Sequence, residues 1–399
     1  MKIAYILPVF PQRSETFIIR EIKSLSEINI KIDVFTLKKD DSLFERSIVR
    51  NITYYDKSNL LSKIYRVIKN IIFNPLKYIK IFKWTLKNLG NCTIYDLFRK
   101  IRHLHIGFYL SDFISKTNYD YLYTHWRTGI TISAVVNQLT GIKYSICLHA
   151  NEIYTERQID EWKFSNTAEI IVNNTYNKYF FNLITDYQFE NKIKVIRNIP
   201  PNIDKKFFPR KKVGTPINLL CLGRLIHFKD HPTLLSACKL LLENGVEFRL
   251  VIGGDGNTYK LIESLAKEMK IDQYIQMIGS YNEDELWDLF QNADLFIHAS
   301  GIGPGGARDG LPNVIIEAMM ACVPVISTYI SSIPEAIDNE VDGLLIPEKD
   351  PQSLYDAINR LNSDQDLYQH ISRNSPIKAQ KIFNKSNTVQ LLKEMFNQV

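Results

Sequence analysis

The chain carries no cysteine spacing of the kind that builds a metal knuckle or a redox couple. Its five cysteines, Cys92, Cys147, Cys221, Cys238 and Cys322, are scattered through 399 residues without a Cys-x-x-Cys and without a His/Cys pair at ligand spacing. Several lie in apolar, strand-like runs, so buried free thiols in a reducing compartment are expected. Also missing is any uncharged apolar run near the roughly 18 residues of a membrane span. The first residues do not read as a secretion signal: only Lys2 precedes Ile3–Val9, Pro8 and Pro11 interrupt, and no small-residue cleavage site follows. The expectation is a cytosolic protein, free or peripheral to a membrane. Low-complexity sequence is absent too, and 45% hydrophobic with 23% charged residues excludes disorder.

What is present is length and an uneven charge. A chain of 399 residues suits two domains better than one core. The net charge is +6, yet residues 57–102 hold eleven Lys/Arg against Asp96 alone, leaving the remainder mildly acidic. On the helix expected over 76–89, apolar Leu76, Ile79, Phe82, Leu86 and Leu89 recur every three or four residues, with Lys77, Lys80, Lys83 and Lys87 one step on. This basic amphipathic helix, with Tyr78 and Trp84 near its boundary, is either the solvated outer face of a sheet-packed helix or a surface for anionic lipid. One-signed charge and the placement of the aromatics favour lipid. Nucleic acid is not expected, because no nucleic-acid-binding fold accompanies the charge.

Strand and helix patterns alternate along the chain. Lys2–Val9, Lys31–Leu37, Tyr121–Tyr123, Tyr144–Leu148, Glu169–Val172 and Ile193–Ile196 read as strands of one doubly wound α/β domain over 1–197. Prolines, asparagines and lysines over 198–216 read as a linker. A second series starts at Ile217–Leu222, giving a second Rossmann-like domain over 217–375. Residues 376–399 are expected as a C-terminal helix packing back on the first domain. Ligands of such sheets sit at the carboxyl ends of the strands, so the cleft between the domains is the expected site.

In the second domain Gly223-Arg224 closes a strand and Lys229 follows five residues later. A guanidinium fork and a mobile ammonium in one strand-to-helix loop can clamp a diphosphate, although loop bases are commonly just solvated. Gly254-Asp255-Gly256 ends another strand, with Tyr259 where a dinucleotide fingerprint would place its third glycine. It is a tight turn or a backbone surface for a ligand. Gly301, Gly303, Gly305, Gly306 and Gly310 crowd before Leu311, Pro312, Asn313 and the helix Val314–Ala321. Such a turn opens a helix N-terminus toward phosphate. Asp309 stands in that loop, and Glu317 lies inside an otherwise apolar helix, either aimed into a cleft or exposed.

These segments, with Val323-Pro324-Val325-Ile326-Ser327, Ile333-Pro334-Glu335-Ala336-Ile337 and Asp342-Gly343-Leu344-Leu345-Ile346-Pro347, fall in an order that resembles glycosyltransferase family 4, retaining enzymes of the GT-B fold. The resemblance spans roughly residues 217–360. It implies that Arg224 and Lys229 neutralise the donor diphosphate, that Glu317 holds the ribose hydroxyls, and that Gly223, Gly254, Gly310, Leu311, Asn313 and Val314 line the donor site. Asp309 stands where the family usually has a Glu at the donor sugar, and Pro312 where it usually has a glycine. No cofactor and no metal are implied. The one Asp-x-Asp, at 364–366, lies beyond these motifs.

The first domain opens with Phe10-Pro11 and Ser14-Glu15-Thr16-Phe17-Ile18, which is similar to exopolysaccharide and lipopolysaccharide enzymes of the same family. Arg13, Ser14 and Glu15 are acceptor-side candidates, although Ser14 also suits a plain helix cap. His149 follows a strand and matches the family's His-Ala-x-Asp-Ile motif, with Glu152 for Asp; the resemblance sets it against the donor sugar. His125, also at a strand end, is a further acceptor-side candidate. The expectation is a retaining transferase that moves a sugar from a UDP- or GDP-sugar to a lipid-linked saccharide for bacterial surface polysaccharide, on the inner face of the cytoplasmic membrane. A nucleotide-sugar epimerase, a phosphorylase and a non-catalytic sugar-nucleotide or membrane binder are the alternatives.

Overall fold

The computed structural model describes residues 1–12, 15–38, 49–55, 59–73, 75–87, 94–155, 161–203 and 205–397. Arg13, Ser14 and the side chain of Lys87 lie outside the described residues. The chain divides into two compact units, one of Met1–Asn173, Lys178–Ile199 and Lys385–Val399, the other of Asn174–Asn177 and Pro200–Asn384.

The first unit is built from β1 (Lys2–Val9), α1 (Thr16–Glu27), β2 (Lys31–Lys38), β3 (Asn51–Tyr54), α2 (Leu60–Phe73), α3 (Pro75–Lys87) and α4 (Ile94–Ile114). It continues through β4 (Tyr121–His125), α5 (Trp126–Thr140), β5 (Tyr144–Leu148), α6 (Ala150–Tyr154), α7 (Glu161–Ser165), β6 (Ile170–Val172), α8 (Thr175–Ile184) and β7 (Ile193–Val195). Its seven strands run in the order β3-β2-β1-β4-β5-β6-β7, and every pairing is parallel. Helices cover both faces of such a sheet, which is why Ile3–Leu7 and Tyr121–His125 are buried without a break. The alternation of strand and helix was readable in sequence. The four-residue edge strand β3 was not, because Asn51-Ile52-Thr53-Tyr54 carries no apolar run.

The second unit holds β8 (Ile217–Leu222), α9 (His231–Glu243), β9 (Phe248–Gly253), α10 (Tyr259–Glu268), β10 (Ile275–Gly279), α11 (Glu283–Asn292), β11 (Leu295–His298), α12 (Asn313–Met320), β12 (Val325–Thr328), α13 (Ile333–Ala336), β13 (Leu344–Ile346), α14 (Pro351–Ser363) and α15 (Gln365–Ile382). Its parallel sheet has the order β10-β9-β8-β11-β12-β13. In each unit strand order reverses once, between β1 and β4 and between β8 and β11. The carboxyl ends there are where a doubly wound sheet offers a crevice.

Two expected boundaries are corrected. The segment 198–216 is not a free linker: Ile203, Phe207 and Val213 pack on the second unit's cores. The Arg210 guanidinium donates to the carbonyls of Phe290 (2.7 Å) and Gln291 (2.9 Å). Apolar residues interleaved among prolines and lysines turn an apparent spacer into a strap. The return to the first unit begins later than residue 376, because α15 runs through Pro376 to Ile382. The returning element is a separate helix, α16 (Lys385–Phe396), which buries Leu392, Met395 and Phe396. The Phe396 ring meets Tyr121 and Tyr123 edge-on, with centroids 5.6 and 5.5 Å away.

Within the described residues the basic block forms α2, α3 and the start of α4, which carries Arg99, Lys100 and Arg102. On α3 the residues that face inward are Tyr78, Ile81 and Thr85, with Ile81 packed on Leu104 and Val135. The stripe read from sequence as the apolar face points away from the unit: Leu76 is 81% exposed, Ile79 50% and Phe82 62%. On α2, Leu61, Tyr65, Ile72 and Phe73 are each more than 60% exposed. The α2 helix is tied to α4 by an ion pair from Arg66 to Asp112, which Lys116 shares at 2.8 Å. Lys77, Lys80 and Lys83 are all exposed, and Lys77 donates to the Leu139 carbonyl at 2.6 Å. No helix of the described residues is long and apolar enough to cross a membrane.

Candidate active site

Two polar clusters stand at strand carboxyl ends, one in each unit. In the second unit Lys229 closes a short 3-10 turn (His227–Lys229) after β8, followed by Asp230 at φ +47°. Its ammonium lies 2.9 Å from Asp309 Oδ2 and 3.3 Å from His298 Nε2. His298 ends β11, and its Nε2 is also 3.1 Å from Asp309 Oδ2 and 2.8 Å from Ser300 Oγ. Burial would raise the Asp309 carboxyl, but Lys229 and His298 overcome it and hold the group far below the usual carboxylate range. His298 is pushed down to about 4, first by burial and then by the Lys229 charge, so its ring is neutral at pH 7. An ammonium held by one carboxylate beside neutral donors is a cation with its geometry set in advance, which is what stabilising charge on a departing group requires.

Arg224 is exposed, while Glu317 is 7% exposed on α12. The exposed alternative for Glu317 is therefore excluded. Val314 is buried as well, and Gly310, Leu311 and Asn313 are part-buried around the start of α12, where no side chain caps the helix. Pro312 occupies the N-cap itself.

The glycines divide by cause. A Cβ at Gly254 (φ +131°) would lie 1.8 Å from the Gly223 carbonyl oxygen, and one at Gly256 would lie 2.1 Å from that of Leu225. The Gly254 N–H donates to Gly279 at 2.7 Å and that of Gly223 to Gly253 at 3.0 Å. The N–H groups of these two lash three strand ends together. In the 301–310 loop, Gly301, Gly303 and Gly306 likewise donate within the fold, to Phe228, Ala307 and Gly303. The unpaired donors expected of that loop are correspondingly fewer.

In the first unit the parallel register sets His125 opposite Cys147, so both side chains rise from one face of the sheet. His125 is 1% exposed. It is the centre of a buried chain: its Nδ1 is 3.1 Å from His149 Nε2 and its Nε2 3.2 Å from Glu21 Oε1. The Tyr5 hydroxyl donates to the same Glu21 oxygen at 2.8 Å. His149 lies between two aromatic rings, Trp126 at 4.1 Å and Phe17 at 5.1 Å between centroids. Burial and the neighbouring His125 hold it well below its usual range. Glu15 accepts from the Trp126 indole N–H at 3.2 Å and so supports that sandwich.

Glu21, Cys147, His298 and Ser300 were missed in the sequence. His298 could have been found as the last residue of a central strand, and Glu21 as the one acid on the buried stripe of α1. Although no His/Cys pair stood at ligand spacing, the fold brings His125, Cys147 and His149 within 4.8 Å of one another. They form the one group among the described residues that could hold a metal ion.

Residues 202–378 match the family described as Glycosyl transferases group 1. Over 165 residues the chain is 32% identical to a protein of Escherichia coli (strain K12) named for colanic acid biosynthesis, the glycosyltransferase WcaL, covering 40% of this chain and 41% of that one. Over 156 residues it is 28% identical to the amylovoran biosynthesis glycosyltransferase AmsK of Erwinia amylovora, covering 39% and 38%. The chain thus spans about two fifths of the length of these curated relatives. Anabaena Alr3699/HepE, solved in complex with UDP and glucose, superposes over the whole of both chains with a TM-score of 0.72 at 14% identity. The chain has the two-sheet GT-B fold, and most of its second unit is matched by the glycosyl transferases group 1 model.

Proposed function

We propose that the protein is a retaining glycosyltransferase of surface polysaccharide synthesis, taking a sugar from a nucleotide donor. The observation that carries this is the Lys229–Asp309–His298 cluster beside the uncapped start of α12, in the unit that matches the group 1 family. In this reading Lys229, with exposed Arg224, neutralises the diphosphate as it leaves, and Glu317 holds the ribose. No nucleophilic side chain takes part. The leaving phosphate oxygen accepts the proton of the attacking hydroxyl on the same face of the sugar, which retains configuration. Nucleotide in the HepE structure and the names of the polysaccharide relatives support the donor class and the pathway type. Lys229→Ala and Arg224→Ala are expected to lose on the order of 10²-fold in kcat. Transfer rates in both variants near that of the wild type, measured with a panel of UDP-, GDP- and dTDP-sugars, would overturn the assignment. Turnover of a nucleotide sugar with no acceptor would point to an epimerase, and turnover only with added phosphate to a phosphorylase.

The acceptor in this reading is a lipid-linked saccharide, and the first unit works at an anionic membrane surface. What supports this is the outward stripe of Leu76, Ile79 and Phe82 flanked by exposed Lys80 and Lys83.

A further inference from the structure

We propose that Asp309, Ser300 and His298 are positioning residues for Lys229, so that the carboxylate acts through the ammonium and not on the donor sugar. This deepens the transferase reading above and rests on it. A carboxylate offers about four acceptor directions on its two oxygens. The Lys229 ammonium takes both oxygens of Asp309, at 3.1 Å from Oδ1 and 2.9 Å from Oδ2. The Ser300 hydroxyl donates to Oδ2, and His298 Nε2 lies 3.1 Å from the same oxygen. Only 13% of the Asp309 side chain is exposed, so a sugar hydroxyl would have to displace one of these groups. The holders are themselves held. Ser300 is fully buried, and its carbonyl accepts from Thr328 Oγ1 at 2.6 Å. The His298 carbonyl accepts from Ser327 Oγ at 2.8 Å, so β12 pins the end of β11. The Gly301 N–H donates to the Phe228 carbonyl at 2.8 Å and ties the same segment to the turn that carries Lys229. A Cβ at Gly223 would stand 3.6 Å from Lys229 Cε, so the lysine stem runs past the end of β8. A lysine on its flexible four-carbon stem loses rotamer freedom when it grips a ligand. Holding it in place beforehand removes that cost from the binding of a diphosphate.

In the full chain without ligand, the Lys229 ammonium is expected to exchange its protons slowly enough to give a nitrogen–proton cross-peak, identified by its loss in Lys229→Arg. Ser300→Ala should erase that cross-peak. It should also weaken binding of UDP, GDP or dTDP, whichever the wild type takes, on the order of 10-fold, with the matching monophosphate unchanged. Ser300→Thr, which keeps the hydroxyl, should restore both. Asp309→Glu should show the same losses as Ser300→Ala, because the longer side chain has to shift the ammonium. If Ser300→Ala does not fold, His298→Ala replaces it with the same expected losses. These diphosphates carry no sugar, so a carboxylate that works on the sugar would leave their affinity unchanged and alter only the KM for the nucleotide sugar. Unchanged diphosphate affinity in the variants, or a cross-peak that persists in them, therefore overturns the proposal and leaves the transferase reading standing. A wild type that binds no nucleoside diphosphate defeats that reading, while loss of the cross-peak in Ser300→Ala would still show that Ser300 holds Lys229.

Discussion

At the scale of single residues, the informative pairings are those that leave a charge no alternative. Lys229 and Asp309 expose only 10% and 13% of their side chains, so removing one strands the other in a poorly solvated place. Asp309→Asn is expected to destabilise the second unit by about 3 kcal/mol, read by urea denaturation. Because the folded-state carboxyl is depressed, its contribution is complete above the unfolded value near 4 and is lost as pH falls below it. Wild-type stability should therefore decline more steeply than that of Asp309→Asn between about pH 4 and pH 2. Equal slopes would show that Asp309 does not hold its proton off by way of Lys229. From the sequence, Lys229 and Asp309 were visible as separate motif residues, eighty positions apart, and neither spacing nor composition indicated that they touch. His298 was hidden in an apolar strand, where a histidine gives no sign of what its ring meets.

At the scale of elements, α3 shows how a correct period can go with the wrong inner face. The three- and four-residue recurrence of Leu76, Ile79 and Phe82 was legible, and so was the helix. What could not be read is which of two apolar stripes turns inward, since Tyr78 and Ile81 form the second one. Burial depends on the partners Leu104, Val135 and Phe108, which come from distant parts of the chain. The two stripes make opposite predictions. Ile81→Ala should cost about 3 kcal/mol, as a large-to-small change in a packed core does. The pair Leu76→Ser and Phe82→Ser should leave the urea midpoint within error while removing sedimentation with phosphatidylglycerol vesicles. Lys80→Glu with Lys83→Glu should weaken the same sedimentation in a salt-dependent way. Equal binding to neutral and anionic vesicles would discard the electrostatic part of the membrane proposal. The Gly254-Asp255-Gly256 turn teaches a related point: both glycines are needed because two backbones touch. Either residue changed to Ala should unfold the strand ends, whether or not a ligand is ever bound.

At the scale of the whole molecule, the alternating pattern gave both sheets, and a family resemblance drew attention to the second unit's loops. The boundaries were harder, because a strap rich in proline and lysine looks like a spacer until its few apolar residues find a surface. A nucleotide sugar that binds the second unit should raise its melting temperature by mass action, by about 2.7 kcal/mol of stability at a hundredfold excess over Kd. Truncation after residue 384 should instead unfold the first unit, whose Tyr121 and Tyr123 rest against Phe396. Supplying residues 385–397 as a peptide should restore it, as followed by near-UV circular dichroism.

That last helix also sets an order of events at the ribosome. Domains commonly fold in the order in which they leave the exit tunnel. Here the seven-stranded sheet is translated first, yet the helix that covers Tyr121 and Tyr123 emerges after every strand of the six-stranded one. The half that is made earliest is finished last. For the time it takes to synthesise nearly two hundred residues, the part of the sheet face that this helix covers waits open beside α1. The second unit, whose strands and helices follow one another from Pro200 to Asn384, needs no such wait.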